Sequence, residues 1–292
     1  MKVQLKGYLL AFISALTYGM IPLFMIPIKQ RAFSLDASLF YRFAIAAVFI
    51  LAYLLYKRES LKISFRESGI FVFLGLLYAL SSEFLFAAYD YLTPGIASTI
   101  FFMYPVIVAL LLGVFFKEKI TLPTMLSLLV VFVGVFVMSV DDVSSFSIPF
   151  FGLFVAFMGA FIYGVYMVVV NKSHIQASGM KIAFYSLLFS SLYFLVKSLL
   201  LDGKMEIPNG ETFLHLGLFS FITTVLSMTT LIYAIRFIGS TPTAIMGAIE
   251  PVIAVGISVG LFGEALTINL VVGVLLIIFG VLIDIIFRKS TT

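Results

Sequence analysis

The sequence predicts an all-α membrane protein of ten transmembrane helices, arranged as two inverted five-helix repeats. Three observations carry that prediction. First, 62% of the 292 residues are apolar and only 11% are charged, with a mean hydropathy of +1.20. A soluble domain is about 45–50% apolar and about 25% charged. So little polar surface cannot coat a water-soluble globule, which excludes a soluble enzyme, and the hydrophobicity is far too high for a disordered chain. Second, the charge and turn clusters divide the chain into ten apolar runs, each near the ~20 residues a helix needs to cross ~30 Å of hydrocarbon. Third, the second half of the chain repeats the first.

Taken in order, the first span covers 6–28 and opens behind Lys2 and Lys6. That start resembles a signal peptide, but the run is too long for an h-region and its pattern recurs, so it reads as an uncleaved helix. The second, 36–56, stops at Lys57-Arg58-Glu59, and the third runs over 67–91. The fourth, 95–116, ends at Lys117-Glu118-Lys119, and the fifth, 121–140, at Asp141-Asp142. The sixth and seventh cover 149–171 and 179–201, with Pro208-Asn209-Gly210 ahead of the eighth, 212–237. The ninth and tenth cover 241–262 and 267–287. A β-barrel would show alternating segments of ~10 residues in place of these continuous runs. No break is long enough for a soluble domain.

Basic residues gather on the cytoplasmic side of membrane helices. With the N-terminus inside, 13 of the 18 Lys and Arg fall on that side. Only Lys29, Arg31, Lys197 and Lys204 fall outside, and Arg42 lies within a span. Both termini are then cytoplasmic in a multi-pass protein of the plasma membrane. The net charge of +4 is a topology signal, with no patch for nucleic acid. The absence of Cys removes disulfides, thiolate metal sites and cysteine nucleophiles.

The duplication is visible residue by residue. At an offset of 145, Gly7, Ala11, Phe12, Ala15, Tyr18 and Gly19 match Gly152, Ala156, Phe157, Ala160, Tyr163 and Gly164. At 146, Ala88, Pro105, Val106, Ile107, Phe116, Glu118, Thr121 and Gly134 match Ala234, Pro251, Val252, Ile253, Phe262, Glu264, Thr267 and Gly280. The units are residues 1–145 and 146–292. Five spans per unit is an odd number, so the second copy lies upside down. Inverted repeats are the architecture of alternating-access transporters, with the substrate site near mid-membrane where the repeats meet.

The paired segments PVIVALLLGVFFKEKIT (from Pro105) and EPVIAVGISVGLFGEALT (from Glu250) resemble the drug/metabolite transporter superfamily, EamA-like branch. In each, Glu118 or Glu264 follows the proline by thirteen residues and Thr121 or Thr267 comes three later. The resemblance spans the whole chain. It implies a ten-helix transporter for amino acids, amines, nucleotide-like metabolites or drugs. Members mostly export, although some import nutrients such as choline.

Candidate functional residues follow from what is scarce or repeated. Gly7, Ala11, Ala15 and Gly19, with Gly152, Ala156, Ala160 and Gly164, place small side chains in one stripe, which predicts close packing of the first and sixth helices. Gly256 and Gly260 form a GxxxG with the same reading. Pro105 and Pro251 each stand about 15 Å deep, ten residues into their spans. There they predict hinges that line the pathway, because proline removes a backbone hydrogen bond. Intramembrane charge is costly and marks sites. Glu250 lies beside Pro251, where the first repeat has Tyr104, and Glu83 and Arg42 lie about 9–12 Å in from one end. The second and third helices are expected to be antiparallel neighbours, which lets Arg42 and Glu83 pair at similar depth; alternatively, Glu83 hydrogen-bonds to Ser81 and Ser82, or faces the cavity and takes an ammonium or a proton. Glu118 and Glu264 are expected to cap the next helix, and Asp284 and Arg288 to pair at the interface. Tyr18, Tyr78, Tyr104, Tyr163 and Tyr166 are candidates for an aromatic wall, which suits an amino or quaternary ammonium group.

The sequence therefore predicts a secondary transporter of small organic solutes, amino acids or related amines, working by alternating access. The predicted partners are that substrate, protons if transport is coupled, and the lipid bilayer; monomer and homodimer both fit. No G-x-x-x-x-G-K-[ST] motif and no cofactor motif is present, so transport would run on gradients or exchange. A quaternary-ammonium importer is the alternative within transporters. A channel fits the repeats less well, and an intramembrane enzyme lacks H-E-x-x-H or a plausible dyad.

Overall fold

The computed structural model describes residues 2–21, 23–24, 28, 33–88, 90–92, 97, 100–139, 150–173, 175, 177–201, 203–262 and 266–288. The regular elements among them are all helices. They are α1 (Lys2–Gly19), α2 (Leu35–Tyr56), α3 (Phe65–Ala88), α4 (Tyr104–Phe116), α5 (Leu122–Ser139), α6 (Phe150–Lys172) and α7 (Gly179–Leu201). Then come α8 (Gly210–Ile238), α9 (Ser240–Gly247), α10 (Ile249–Phe262) and α11 (Ile268–Arg288).

Local chemistry sets the helix starts. Ser64 and Glu67 form a reciprocal capping box on α3, with Ser64 N–H donating to Glu67 Oε2 at 2.8 Å and Glu67 N–H to Ser64 Oγ at 3.3 Å. Asn209 caps α8 by accepting from Thr212 N–H at 2.8 Å. Thr121 and Thr267, related by the repeat, cap α5 and α11 through Thr124 N–H and Leu270 N–H. The glutamate capping expected at Glu118 does not occur. Its carboxylate instead pairs with Lys172 at the end of α6, because threonine already fills the cap. Glu264 and the side chains of Asp284 and Arg288 lie outside the described residues.

Five described helices are long and apolar enough to cross a membrane: α2, α3, α6, α7 and α8. The fourth and ninth spans, expected as continuous runs with hinges at their prolines, are interrupted by turns. The chain turns at Phe102–Met103 and at Ala248, and new helices begin at Tyr104 and Ile249. Pro105 and Pro251 therefore sit in the first turn of α4 and α10, where a missing N–H is tolerated. Part of the first span, within 22–27, lies outside the described residues.

Helices from the two halves interleave. α2 packs on α7, α3 on α6 and α7, α1 on α8 and α10, α4 on α6, and α5 on α11. Each contact recurs between the related helices of the other half. A Cβ on Gly7 would lie 2.5 Å from Ile238 Cγ2, and one on Gly152 would lie 2.9 Å from Leu92 Cγ. A Cβ on Gly134 would meet Gly273 O at 2.9 Å, and one on Gly280 would meet Ser127 O at 3.0 Å. Ser14 donates to Ser227 O at 2.9 Å, and Ser81 to Gly159 O at 3.1 Å. Lipid tails are as apolar as leucine, so helices associate through close packing and hydrogen bonds of this kind. The small-residue stripes thus pack α1 against α8 and α10, and α6 against α3 and α4. Gly256 and Gly260 depart from the packing expectation, since a Cβ there meets nothing within 4 Å.

Gly134→Val and Gly280→Val should each destabilise the protein by roughly 1–3 kcal/mol through overpacking of α5 on α11. Gly256→Ala should leave stability unchanged. Thermal unfolding of the detergent-purified protein measures both, and equal transitions for all three variants would refute the α5–α11 contact.

Candidate functional site

The break between α9 and α10 organises the centre. In an unbroken helix the Ala244 carbonyl would accept from the amide of Ala248. Here Ala248 N–H turns instead to Ile245 O at 3.1 Å. Proline at 251 likewise offers no amide to Gly247 O. Inside a membrane such freed carbonyls need partners from the protein. The Tyr104 hydroxyl supplies one, donating to Ala244 O at 3.3 Å. It reaches that carbonyl only because residue 247 is glycine: a Cβ there would lie 1.7 Å from the hydroxyl oxygen and 3.4 Å from Glu250 Oε1. Gly19 on α1 seals the other side, since a Cβ there would meet Glu250 O at 2.6 Å. Gly164 holds the equivalent place against Ile107 and Tyr104 O.

Glu250 opens the first turn of α10, where the helix N-terminus favours negative charge. It is 7% exposed, and among the described residues nothing donates a hydrogen bond to its carboxylate or pairs with it. Its Oε1 and the Tyr104 hydroxyl border the same glycine, Gly247. The tyrosines form a continuous aromatic wall: Tyr104 meets Tyr163 at 4.9 Å between centroids, Tyr163 stacks on Tyr166 at 6.1 Å, and Tyr166 meets Tyr78 at 5.4 Å. The Tyr166 hydroxyl is buried without a partner. Tyr18, beside Gly19, faces the Arg42 guanidinium at 5.6 Å. All five tyrosines singled out by the sequence thus belong to one cluster around Glu250 and Arg42.

Glu83 does not join it. Its carboxylate pairs with Lys197 Nζ at 2.8 Å and accepts from the Tyr193 hydroxyl, and the same Lys197 holds Asp36 at 2.9 Å. The expected Arg42–Glu83 pair is absent because α7 packs on both α2 and α3, so Lys197 meets the carboxylates of both. Arg42 turns the other way, donating from Nε to Thr224 Oγ1 at 2.7 Å.

Thr224 was not among the residues the sequence singled out. It lies in a π-helical stretch of α8, Phe221–Leu226, a local widening that often accompanies functional sites. The signal was the hydroxyl-rich run from Ser220 to Thr230 in an otherwise apolar span. Two cavities lie away from Glu250. One, of about 430 Å³, is bordered by Asn171, Ser173, Ser178 and Arg236; the other, about 490 Å³ and apolar, runs between α3 and α7.

An all-helical membrane protein whose broken helices carry a buried, unpaired carboxylate has the build of a membrane transporter. The chain belongs to the EamA-like transporter family, whose model matches residues 5–140 and again residues 150–285. It is 23% identical over 258 residues to the uncharacterized transporter YyaM of Bacillus subtilis (strain 168), covering 86% of this chain and 84% of that protein. A solved crystal structure superposes on 98% of this chain and 99% of its own with a TM-score of 0.83; at 16% identity the likeness is one of fold.

Gly247→Ala should push the Tyr104 hydroxyl off Ala244 and lower the unfolding temperature, and adding Tyr104→Phe should recover a measurable part of the loss. No recovery in the double variant would refute the contact. At the charge cluster, Lys197→Met should destabilise more than Glu83→Gln, because it strands two carboxylates where the other removes one. The reverse order in a thermal melt would refute the assignment of Glu83 to structure.

Proposed function

We propose that this protein is a secondary transporter that exports small organic solutes carrying an amino group, amino acids or related amines, by alternating access. The observation that carries this reading is Glu250, a buried and unpaired carboxylate at a helix break, beside Tyr104 and the aromatic wall that runs from it through Tyr163 and Tyr166 to Tyr78. A carboxylate in that setting attracts an ammonium, and the tyrosine faces add cation–π attraction.

The reading takes the chain as ten spans in two inverted halves, 1–145 and 146–292. Support comes from contacts that recur under exchange of the halves, and from the antiparallel pairing of related helices. Lys197 near the end of α7 meets Asp36 at the start of α2, while Lys181 at the start of α7 reaches the Lys62 carbonyl beyond the end of α2. The basic residues support cytoplasmic termini in a plasma membrane. Protons remain a candidate coupling ion, with Glu250 the group that would carry them. The tyrosine wall also favours a second reading, an importer of a quaternary ammonium nutrient.

Purified protein in liposomes should show saturable counterflow of an amine-bearing solute, and Glu250→Gln should reduce it at least tenfold. Normal counterflow by the variant would remove Glu250 from the binding site. Counterflow of choline without any of amino acids or primary amines would favour the second reading.

A further inference from the structure

Arg42 is the second buried charge at the centre of the protein, and its chemistry is incomplete. Its side chain is 1% exposed. Thr224 accepts from Nε at 2.7 Å, and the rings of Phe219, Phe43 and Tyr18 lie 4.6, 5.5 and 5.6 Å from the guanidinium carbon. Nη2, however, is buried with no hydrogen-bond partner. Among the described residues no carboxylate pairs with it, since Asp36 and Glu83 are both taken by Lys197. A guanidinium carries five N–H donors and no acceptor, so an Nη without a partner is an open donor. An uncompensated buried ion is strongly disfavoured.

The missing counter-charge has a counterpart nearby. Phe43, beside the guanidinium, meets Tyr78 at 5.4 Å, and Tyr78 leads through Tyr166 and Tyr163 to Tyr104, whose hydroxyl borders Gly247 together with Glu250 Oε1. Tyr18 lies against Arg42, and the next residue, Gly19, packs on Glu250, where a Cβ would meet the Glu250 carbonyl at 2.6 Å. One cation on α2 and one anion on α10 thus face a shared set of tyrosines without pairing with each other. We propose that Arg42 is a carboxylate-binding subsite, so that the centre takes a zwitterion with its carboxylate on Arg42 and its ammonium on Glu250. This deepens the transporter reading and rests on it.

The charge balance selects the ligand class. A simple amine would neutralise Glu250 and leave Arg42 bare, and a simple carboxylate would do the reverse. An α-amino acid satisfies both and leaves the centre neutral. Thr224 fixes the guanidinium through Nε and leaves the Nη edge to the ligand, the edge that forks onto a carboxylate. The π-helical turn has a purpose here, since it belongs to the stretch that presents Thr224 to Arg42.

The test uses the full chain in detergent and in liposomes. The probes are the standard amino acids, the amines left when each loses its carboxylate, and the acids left when each loses its amine. At least one amino acid should raise the unfolding temperature and drive counterflow, with its amine and its acid each at least tenfold weaker. Arg42→Gln should lower the ratio of amino-acid to amine affinity at least tenfold. Thr224→Val, which keeps the charge and frees its orientation, should lower that ratio in the same direction and serves if Arg42→Gln does not fold. The proposal is overturned if an amine or an acid binds as well as its amino acid, if the variants leave the ratio unchanged, or if no amino acid binds. Counterflow of amines alone would overturn the carboxylate subsite and leave the transporter reading standing.

Discussion

The hydrogen bond from Tyr104 to the Ala244 carbonyl joins the two breaks on which the centre of the protein depends. A helix interrupted inside a bilayer exposes carbonyls that lipid cannot satisfy. Here the interruption is needed, because it ends α9 and lets α10 begin with Glu250 pointing from a helix N-terminus. The hydroxyl that satisfies it comes from the start of α4, itself the residue after the other break. Gly247 lacks a side chain so that this hydroxyl can reach, and Gly19 lacks one so that α1 can close over the same turn. Pro251, Gly247, Gly19 and Tyr104 are four sequence features serving one backbone problem.

Tyr104 and Glu250 occupy the same position in the two repeats, and their divergence sets the chemistry of the centre. Had both halves kept tyrosine, two breaks would be sealed and no charge would remain. With glutamate in the second half, one break is sealed and the other offers a carboxylate. Arg42 breaks the symmetry in the same way, since Leu187 and Leu188 stand at the related positions. Symmetry supplies the scaffold through glycine contacts that recur in both halves. The departures from it fall among the tyrosines between α1, α2, α3, α6 and α10.

Much of this was legible because the bilayer is a strict solvent. Apolar runs located the helices, and repeated Gly and Pro located close contacts and breaks. Scarce charges marked the centre through Glu250 and Arg42. Three things were not legible. The partner of Glu83 depended on which helix stands between α2 and α3, and chain order does not reveal that α7 of the other half does. The proline positions read as hinges within continuous helices, because a sequence shows the missing amide but not whether the helix resumes or restarts. The π-helical turn leaves no trace in hydropathy, and only the cluster of Ser and Thr around Thr224 hinted at it.

The distribution of tight and loose contacts bears on how such a molecule would move. The middle is held by glycines whose neighbours stand within 3 Å of where a Cβ would be, and prying such surfaces apart forfeits many dispersion contacts at once. The ends are held differently. Lys172 pairs with the partly exposed Glu118 at one end, and Lys197 bridges Asp36 and Glu83 at the other. Partly exposed ion pairs are worth only about 0–1 kcal/mol, because water competes for each partner. Opening either end therefore exchanges ion pairs for hydration at small net expense, while the interleaved middle stays packed. The proposed alternating access, which would expose Glu250 and Arg42 to one side and then the other, calls for such a division, with ends that yield in turn around a centre that does not.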